Sequence, residues 1–169
     1  MEHQYYAFQE KVSLVPMDLE SSEKYRIVRN HEENRKWFLS EKKISLQSQR
    51  KWFQKYLLAE NEYMFSILDE GKIFIGGCGI YDVDKDRGMG EFGRIVIESE
   101  RKFAGYGYLA TVAAVRIAKE ELGLKKLLLE VKKDNISAQK MYLKAGFQYC
   151  VSEEKSMKDI MMERMFIRL

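Results

Sequence analysis

Between Glu91 and Tyr108 the chain reads Glu-Phe-Gly-Arg-Ile-Val-Ile-Glu-Ser-Glu-Arg-Lys-Phe-Ala-Gly-Tyr-Gly-Tyr, and this stretch limits the choice of fold more than any other. Ile95, Val96 and Ile97 form a β-branched run that suits a buried strand over Phe92 to Ile97. Gly105 and Gly107 follow in a loop. Behind them Leu109, Val112, Ala113, Val115, Ile117 and Leu122 recur on a helical period. The glycines therefore stand where a helix begins, and the first amides of a helix have no partner inside it. Such a site holds an anion.

Spacing decides which anion. A dinucleotide fingerprint needs three glycines and an acidic residue about 20 positions on, and a P-loop needs Gly-Lys-Ser/Thr; neither is present. Lys102-Phe-Ala-Gly105-Tyr-Gly107 resembles instead the Arg/Gln-x-x-Gly-x-Gly/Ala loop of the GNAT superfamily of N-acetyltransferases, with Lys in first place. Asn135-Ile-Ser-Ala138-Gln-Lys-Met-Tyr142-Leu-Lys-Ala-Gly146-Phe147 resembles the second signature of the same family, Asn-x-x-Ala-x-x-x-Tyr-x-x-x-Gly-Phe, one helix and one strand further on. The resemblance covers roughly the half of the chain from Ile73 to Val151.

Periodicity alone gives an α+β chain, and the resemblance implies a single domain over 1–169, with a mixed, mostly antiparallel sheet of about seven strands flanked by about four helices. It also implies acetyl-CoA as acyl donor. Backbone amides over Lys102, Phe103, Ala104, Gly105, Tyr106, Gly107 and Tyr108 would cradle its diphosphate. The strand carrying Ile95, Val96 and Ile97 would splay from its neighbour and pair with the pantetheine arm, and Asn135 and Ala138 would face that arm from a helix. Tyr142 would direct its hydroxyl at the thioester sulfur, although an aromatic residue on an amphipathic helix can equally be core packing. The acceptor amine must lose a proton before attack, and Glu91 is the chosen base, the alternative being a solvated carboxylate in a hairpin. Glu98 and Glu130 are weaker choices, and His3 and His31 are read as inert.

Composition narrows the classes further. At 169 residues one domain with a real core is expected. Hydrophobic residues are 46%, charged residues 33% and the formal net charge +3, a mild basic bias that does not call for nucleic acid. Cys78 and Cys150 lie in apolar, strand-like sequence and are read as reduced and buried. Two Cys and two His at unrelated spacings suggest no zinc site. The N-terminus lacks the basic start and apolar core of a signal peptide, and no apolar run approaches the ~20 residues of a membrane span, so a cytoplasmic protein with no membrane partner is expected.

Along the chain, Met1 to Glu10 reads as a lead-in or an edge strand, Val12 to Met17 as a strand, and Asp18 as the cap of a helix through Arg29 with Leu19, Tyr25 and Ile27 among its apolar residues. Asn30 to Ile44 reads as a short helix and loop, and a helix from Ser45 or Ser48 carries Trp52, Phe53, Tyr56 and Leu57. Tyr63, Phe65 and Ile67 alternate in a strand, Asp69-Glu-Gly71 turns, and Ile73 to Val83 returns. Gly123 reads as a helix C-cap, Leu127 to Val131 as a fully buried strand, and Phe147 to Val151 and Met161 to Leu169 as a last hairpin.

The resemblance implies an acceptor site built mostly by the helices before the second strand. Glu23 to Lys55 holds ten Lys and Arg against four Glu, hence +6, which disfavours a polyamine or an aminoglycoside and suits an anionic acceptor. Arg29-Asn30, Trp37, Ile44-Ser45 and Trp52-Phe53 loosely resemble acetyltransferases of nucleotide-linked amino sugars. The expected function is therefore acetyl transfer to a primary amine of a small, anionic acceptor, by direct attack through a tetrahedral intermediate. A protein N-terminal acetyltransferase of ribosomal-protein type and a non-catalytic acyl-CoA sensor stay open, as does a homodimer.

Overall fold

The computed structural model describes residues 3–150 and 162–169. Its strands are β1 (Ala7–Gln9), β2 (Val12–Pro16), β3 (Tyr63–Leu68), β4 (Phe74–Asp84), β5 (Met89–Ile97), β6 (Lys126–Lys132), β7 (Gln148–Tyr149) and β8 (Met162–Arg168). They form one sheet in the order β1-β2-β3-β4-β5-β6-β8-β7. The helices are α1 (Leu19–Asn30), α2 (Glu32–Arg35), α3 (Leu46–Tyr56), α4 (Tyr106–Glu120) and α5 (Ile136–Lys144), with a 3-10 turn at Ser99–Arg101. Neighbouring strands are antiparallel except β5 and β6. The expected mixed, mostly antiparallel α+β architecture is the one observed. The described residues hold eight strands and five helices: β1 lies in the segment read as a lead-in or edge strand, and α2 is the short helix of the segment read as a short helix and loop.

Local chemistry starts each long helix on the α1/α3 side and α5 as well. Asp18 Oδ1 accepts the Ser21 amide, Ser45 Oγ accepts the Ser48 amide and Asn135 Oδ1 accepts the Ala138 amide, each satisfying an otherwise unpartnered donor. In the β3–β4 turn Asp69 Oδ1 accepts the amides of Gly71 and Ile73. That bond allows Lys72, not Gly71, to take the left-handed position at φ 60°.

Two cores cover the sheet. On one face α4 and α5 pack with Phe65, Ile67, Ile80, Phe92, Leu127 and Leu129. On the other α1 and α3 enclose Met17, Tyr25, Val28, Phe53, Tyr56, Met64 and Val96. Tyr25 and Val28 are the inward residues of α1, while Leu19 and Ile27 are exposed, Ile27 lying about 200° round the helix from Tyr25. β3 is buried on both faces and so does not alternate as its sequence suggests.

β6 departs from expectation in the opposite sense. Leu127, Leu129 and Val131 are buried towards α4 and α5, whereas Leu128 and Glu130 are half-buried. It is not a strand buried on both faces, because α1 packs over β3, β4 and β5 and leaves this side of β6 partly open. β7 and β8 fall within the last expected strands; Val151, Met161 and the connection between them lie outside the described residues. Cys78 is buried and Cys150 half-buried, both as free thiols.

A bulge bends β5. Residues 77–79 of β4 face 93–96 of β5, and Arg94 takes φ 54°. The hydroxyl of buried Tyr25 donates to the Arg94 carbonyl at 2.7 Å, so α1 holds the irregular backbone in place. Tyr25→Phe is expected to lower unfolding free energy by about 1 kcal/mol. Urea denaturation measures this, and an unchanged midpoint would mean that the bond adds nothing.

Candidate active site

The parallel ladder between β5 and β6 lasts for three register pairs, Met89 with Lys126, Gly90 with Leu127 and Glu91 with Leu128. Beyond Glu91 the strands part, each keeping its other partner. β6 stays paired with β8 along its full length, and β5 with β4 as far as Ile97. The Glu98 amide donates to Ile75 O, and Val96 is the register partner of Gly77, so Val96 turns its backbone to β4. By alternation Ile97, and Ile95 before it, turn theirs to the side that β6 has left. The Ile97 carbonyl is taken there by Asn34 Nδ2 at 3.2 Å, which leaves its amide facing the gap. Val96, expected among the cofactor contacts, instead buries its side chain with Tyr25 and Met17.

At the end of this gap lies the glycine loop. Gly105 caps α4 at φ 87° with no side-chain hydrogen bond, a conformation that only glycine adopts without strain. A Cβ built on Gly105 meets nothing within 4 Å, so the loop is open. The first intrahelical bond of α4 runs from the Leu109 amide to Gly105 O, and the amides of Tyr106, Gly107 and Tyr108 have no acceptor among the described residues. Gly107 serves closeness: a Cβ there would lie 3.1 Å from Met141 Sδ of α5 and 3.9 Å from Ile97 Cγ1.

The loop is braced from outside. Arg101 pairs with Asp69 at 3.1 Å, the Tyr106 hydroxyl donates to Glu70 at 3.0 Å, and Lys11 Nζ donates to Ala104 O at 2.8 Å. Lys102 Nζ lies 3.4 Å from a Glu33 carboxylate oxygen, so its charge is shared with α2. Hydrogen bonds from Ser99 and then Lys102 hold the Glu33 carboxyl below its ordinary range. Phe103, at φ 62°, is almost wholly exposed.

Asn135, Ala138 and Tyr142 share one side of α5. Asn135 spends its Oδ1 on the Ala138 amide as a cap. Tyr142 is 5% exposed, edge-on to Phe92 and Phe147 with centroids at 6.4 and 5.9 Å. Burial pushes its phenol well above the ordinary range, with smaller contributions from Tyr81 and Cys78. It therefore stays protonated at physiological pH, and its hydroxyl has no hydrogen-bond partner among the described residues.

Glu91 sits at the last joined pair, half-buried, opposite Tyr81 on β4 and Leu128 on β6. Glu130 is engaged by Arg164 at 3.2 Å. Burial, then Glu100, raises the Glu98 carboxyl. His3 is a packing residue, 2.9 Å from Met64 O and 4.6 Å from the Phe65 ring, and exposed His31 approaches Ser99 Oγ at 3.3 Å.

No sequence motif marks Tyr81, which stands opposite Glu91, or Arg94 and Glu62 behind it. Arg94 bridges to Glu62 at 2.8 Å and stacks on the Tyr81 ring at 4.2 Å. An isolated glycine inside a strand is a usable signal of close approach, and Gly93 carries it.

The basic segment is only partly free charge. Buried Arg29 donates to Ser40 O and Lys42 O and stacks on Phe38, and Arg26 donates to Ile44 O. The Asn30 side chain exchanges two 2.8 Å bonds with the backbone of Ile44. Arg29, Asn30 and Ile44 are thus brought together to shape the loop between α2 and α3. Lys132 anchors that loop to the end of β6 through Glu41 at 2.7 Å and Lys36 O at 2.6 Å. Lys36, Lys42 and Lys43 are exposed on this segment, with Lys36 Nζ 5.0 Å from the centre of the Trp37 ring.

A family model described as an acetyltransferase (GNAT) domain matches residues 11–148. No curated protein sequence matches significantly. Among solved structures, spermidine N-acetyltransferase from Vibrio cholerae in complex with CoA and spermine aligns with TM-score 0.82 at 20% identity, over 94% of this chain and 95% of that one. FdhC, described as a nucleotide-linked sugar GNAT, aligns with TM-score 0.82 at 19% identity, over 98% of this chain and 91% of that one. A chimera of the Vibrio cholerae SpeG enzyme and hSSAT aligns with TM-score 0.79 at 21% identity, over 94% and 96%. At such identities the likeness is one of fold.

Gly107→Val would push a branched side chain towards Met141 and into the space before the free amides. CoA affinity is expected to fall about tenfold or more while the thermal midpoint moves little. Calorimetric titration of CoA checks this; undiminished affinity would remove the cradle.

Proposed function

The chain belongs to the acetyltransferase (GNAT) family, with acetyl-CoA as acyl donor, and from that premise we propose that it acetylates the primary amine of a small anionic acceptor such as a nucleotide-linked amino sugar. Among the described residues no helix is long and apolar enough to cross a membrane, and no group of His, Cys, Asp and Glu is arranged to hold a metal ion.

The three-pair ladder carries the proposal, because it opens a slot between a set of unpartnered amides and a buried phenol. The donor supplies an acetyl group activated as a thioester. The amides of Tyr106, Gly107 and Tyr108, at the positive end of α4, suit its diphosphate, with Lys102, Phe103, Ala104 and Gly105 forming the rim. The turned-out backbone of Ile95 and Ile97 suits the pantetheine arm, and the Ile97 amide is available to a developing oxyanion. Ala138 keeps α5 close, and the Asn135 amide nitrogen remains after capping.

Tyr142 is assigned to the departing sulfur. A free thiol titrates near 8.5 and a phenol near 10, so full proton transfer to thiolate is already uphill by about 2 kcal/mol, and burial adds to that. Tyr142 therefore hydrogen-bonds the sulfur and yields its proton only as the thiolate leaves. Glu91, on the opposite side of the sheet, takes a proton from the acceptor ammonium, directly or through water. Lys36, Lys42 and Lys43 support an anionic acceptor from the loop between α2 and α3.

Thiol release from acetyl-CoA with UDP-glucosamine, spermidine and an alanine-headed peptide tests the assignment. Turnover is expected with the nucleotide sugar; turnover with spermidine or peptide alone would overturn the anionic acceptor, and none with any amine would overturn acetyl transfer. Tyr142→Phe should lower kcat by about 10–100-fold, the loss of one hydrogen bond to a developing thiolate, with CoA affinity nearly retained. An undiminished kcat would remove its role. Glu91→Gln should slow turnover most below the pKa of the acceptor amine, where deprotonation is required, and a uniform pH profile would return Glu91 to a structural carboxylate.

A further inference from the structure

Resting on the acetyltransferase assignment, we propose that Tyr81 is the acceptor-side contact of the slot, its hydroxyl receiving the incoming amine beside Glu91 while Gly93 supplies the space for it. β4 and β5 set Tyr81 directly opposite Glu91, so the two side chains leave the same face of the sheet. Gly93 follows Glu91 by two residues and shares that face. A Cβ built on Gly93 would lie 2.6 Å from the Tyr81 hydroxyl oxygen, so the phenol leans along β5 and rests on the bare backbone. The Arg94 guanidinium closes over the ring at 4.2 Å and is itself fixed by Glu62 at 2.8 Å. The left-handed φ of Arg94, held through Tyr25, brings that guanidinium to the ring.

The hydroxyl comes to rest over Gly93, two residues past the last pair joining β5 to β6. Tyr142 approaches the same opening from α5, and the two phenols sense one another electrostatically. Burial first, and Glu91 second, push the Tyr81 phenol up to about 12, so it is a neutral hydroxyl able both to donate and to accept. No protein group among the described residues occupies it. Its oxygen is placed to accept one N–H of the amine, leaving the lone pair for the acetyl carbon and another proton for Glu91. In the balanced reaction a C–N bond forms and the C–S bond breaks. One proton of the ammonium ends on the thiol and one passes through Glu91 to solvent.

The test is a double-mutant cycle with Tyr81→Phe, Gly93→Ala and the pair, read with the amine that the wild-type protein turns over fastest. Tyr81→Phe should raise KM for the amine about tenfold, with CoA affinity within about a factor of two and an unchanged thermal midpoint. Gly93→Ala should do the same by displacing the hydroxyl, and should cost little further once that oxygen is gone. Unchanged KM in Tyr81→Phe, or strictly additive effects, would overturn the proposal and leave acetyl transfer standing. A second measurement needs no turnover: Tyr81 ring resonances in the CoA complex, assigned through the phenylalanine variant, should shift on adding UDP-glucosamine, spermidine or the peptide. If none of these amines moves them, the proposal fails whatever the fate of the thiol-release assay.

Discussion

A parallel ladder that stops after Glu91 and Leu128 is the constraint on which the rest of the site depends. β6 cannot follow β5 because it is paired with β8 from Lys126 to Lys132, and β5 cannot follow β6 because it is paired with β4 to Ile97. The bulge at Arg94 bends β5 between these commitments, and Tyr25 from α1 holds the bent carbonyl. Backbone groups so freed must find partners or water, since an orphaned buried amide costs about as much as a lost hydrogen bond, about 1–3 kcal/mol. Asn34 takes the Ile97 carbonyl, and the Ile97 amide turns to the same gap.

The two sides of that slot are built differently. Towards α4 and α5 it is apolar, with Tyr142 held among Phe92 and Phe147 and the open amides of α4 at one end. Towards α1 and α3 it is polar, with Glu62, Arg94, Tyr81 and Glu91 in line. The basic character of residues 23–55 has a second use. Arg26 and Arg29 shape the α2–α3 loop through carbonyl oxygens, so the surface charge is smaller than the sequence sum while the loop is better fixed.

Much was legible where the physics is local. Asp18, Ser45 and Asn135 cap the helices they precede, and Gly105 takes the left-handed turn before α4, because a cap or a positive φ is decided within a few residues. Ile95 and Ile97 were legible as a strand edge only through family resemblance. The inward side of α1, the double burial of β3 and the half-open face of β6 were not legible, since each depends on which element covers which face. Arg94 and Lys72 at positive φ defy their residue types; Lys72 is fixed by Asp69 within its own turn, whereas Arg94 is held by the distant hydroxyl of Tyr25.

Spacings within a few turns or one strand are enough to set the order of the main elements, the glycine loop at a helix start and the helix that carries Asn135, Ala138 and Tyr142. Tertiary structure decided that β5 and β6 part after three pairs, that Lys102 shares its charge with Glu33, and that Tyr81 lies over Gly93 next to Glu91. Those outcomes come from pairing and packing between residues far apart in the chain, where competing partners, not local preference, select the geometry.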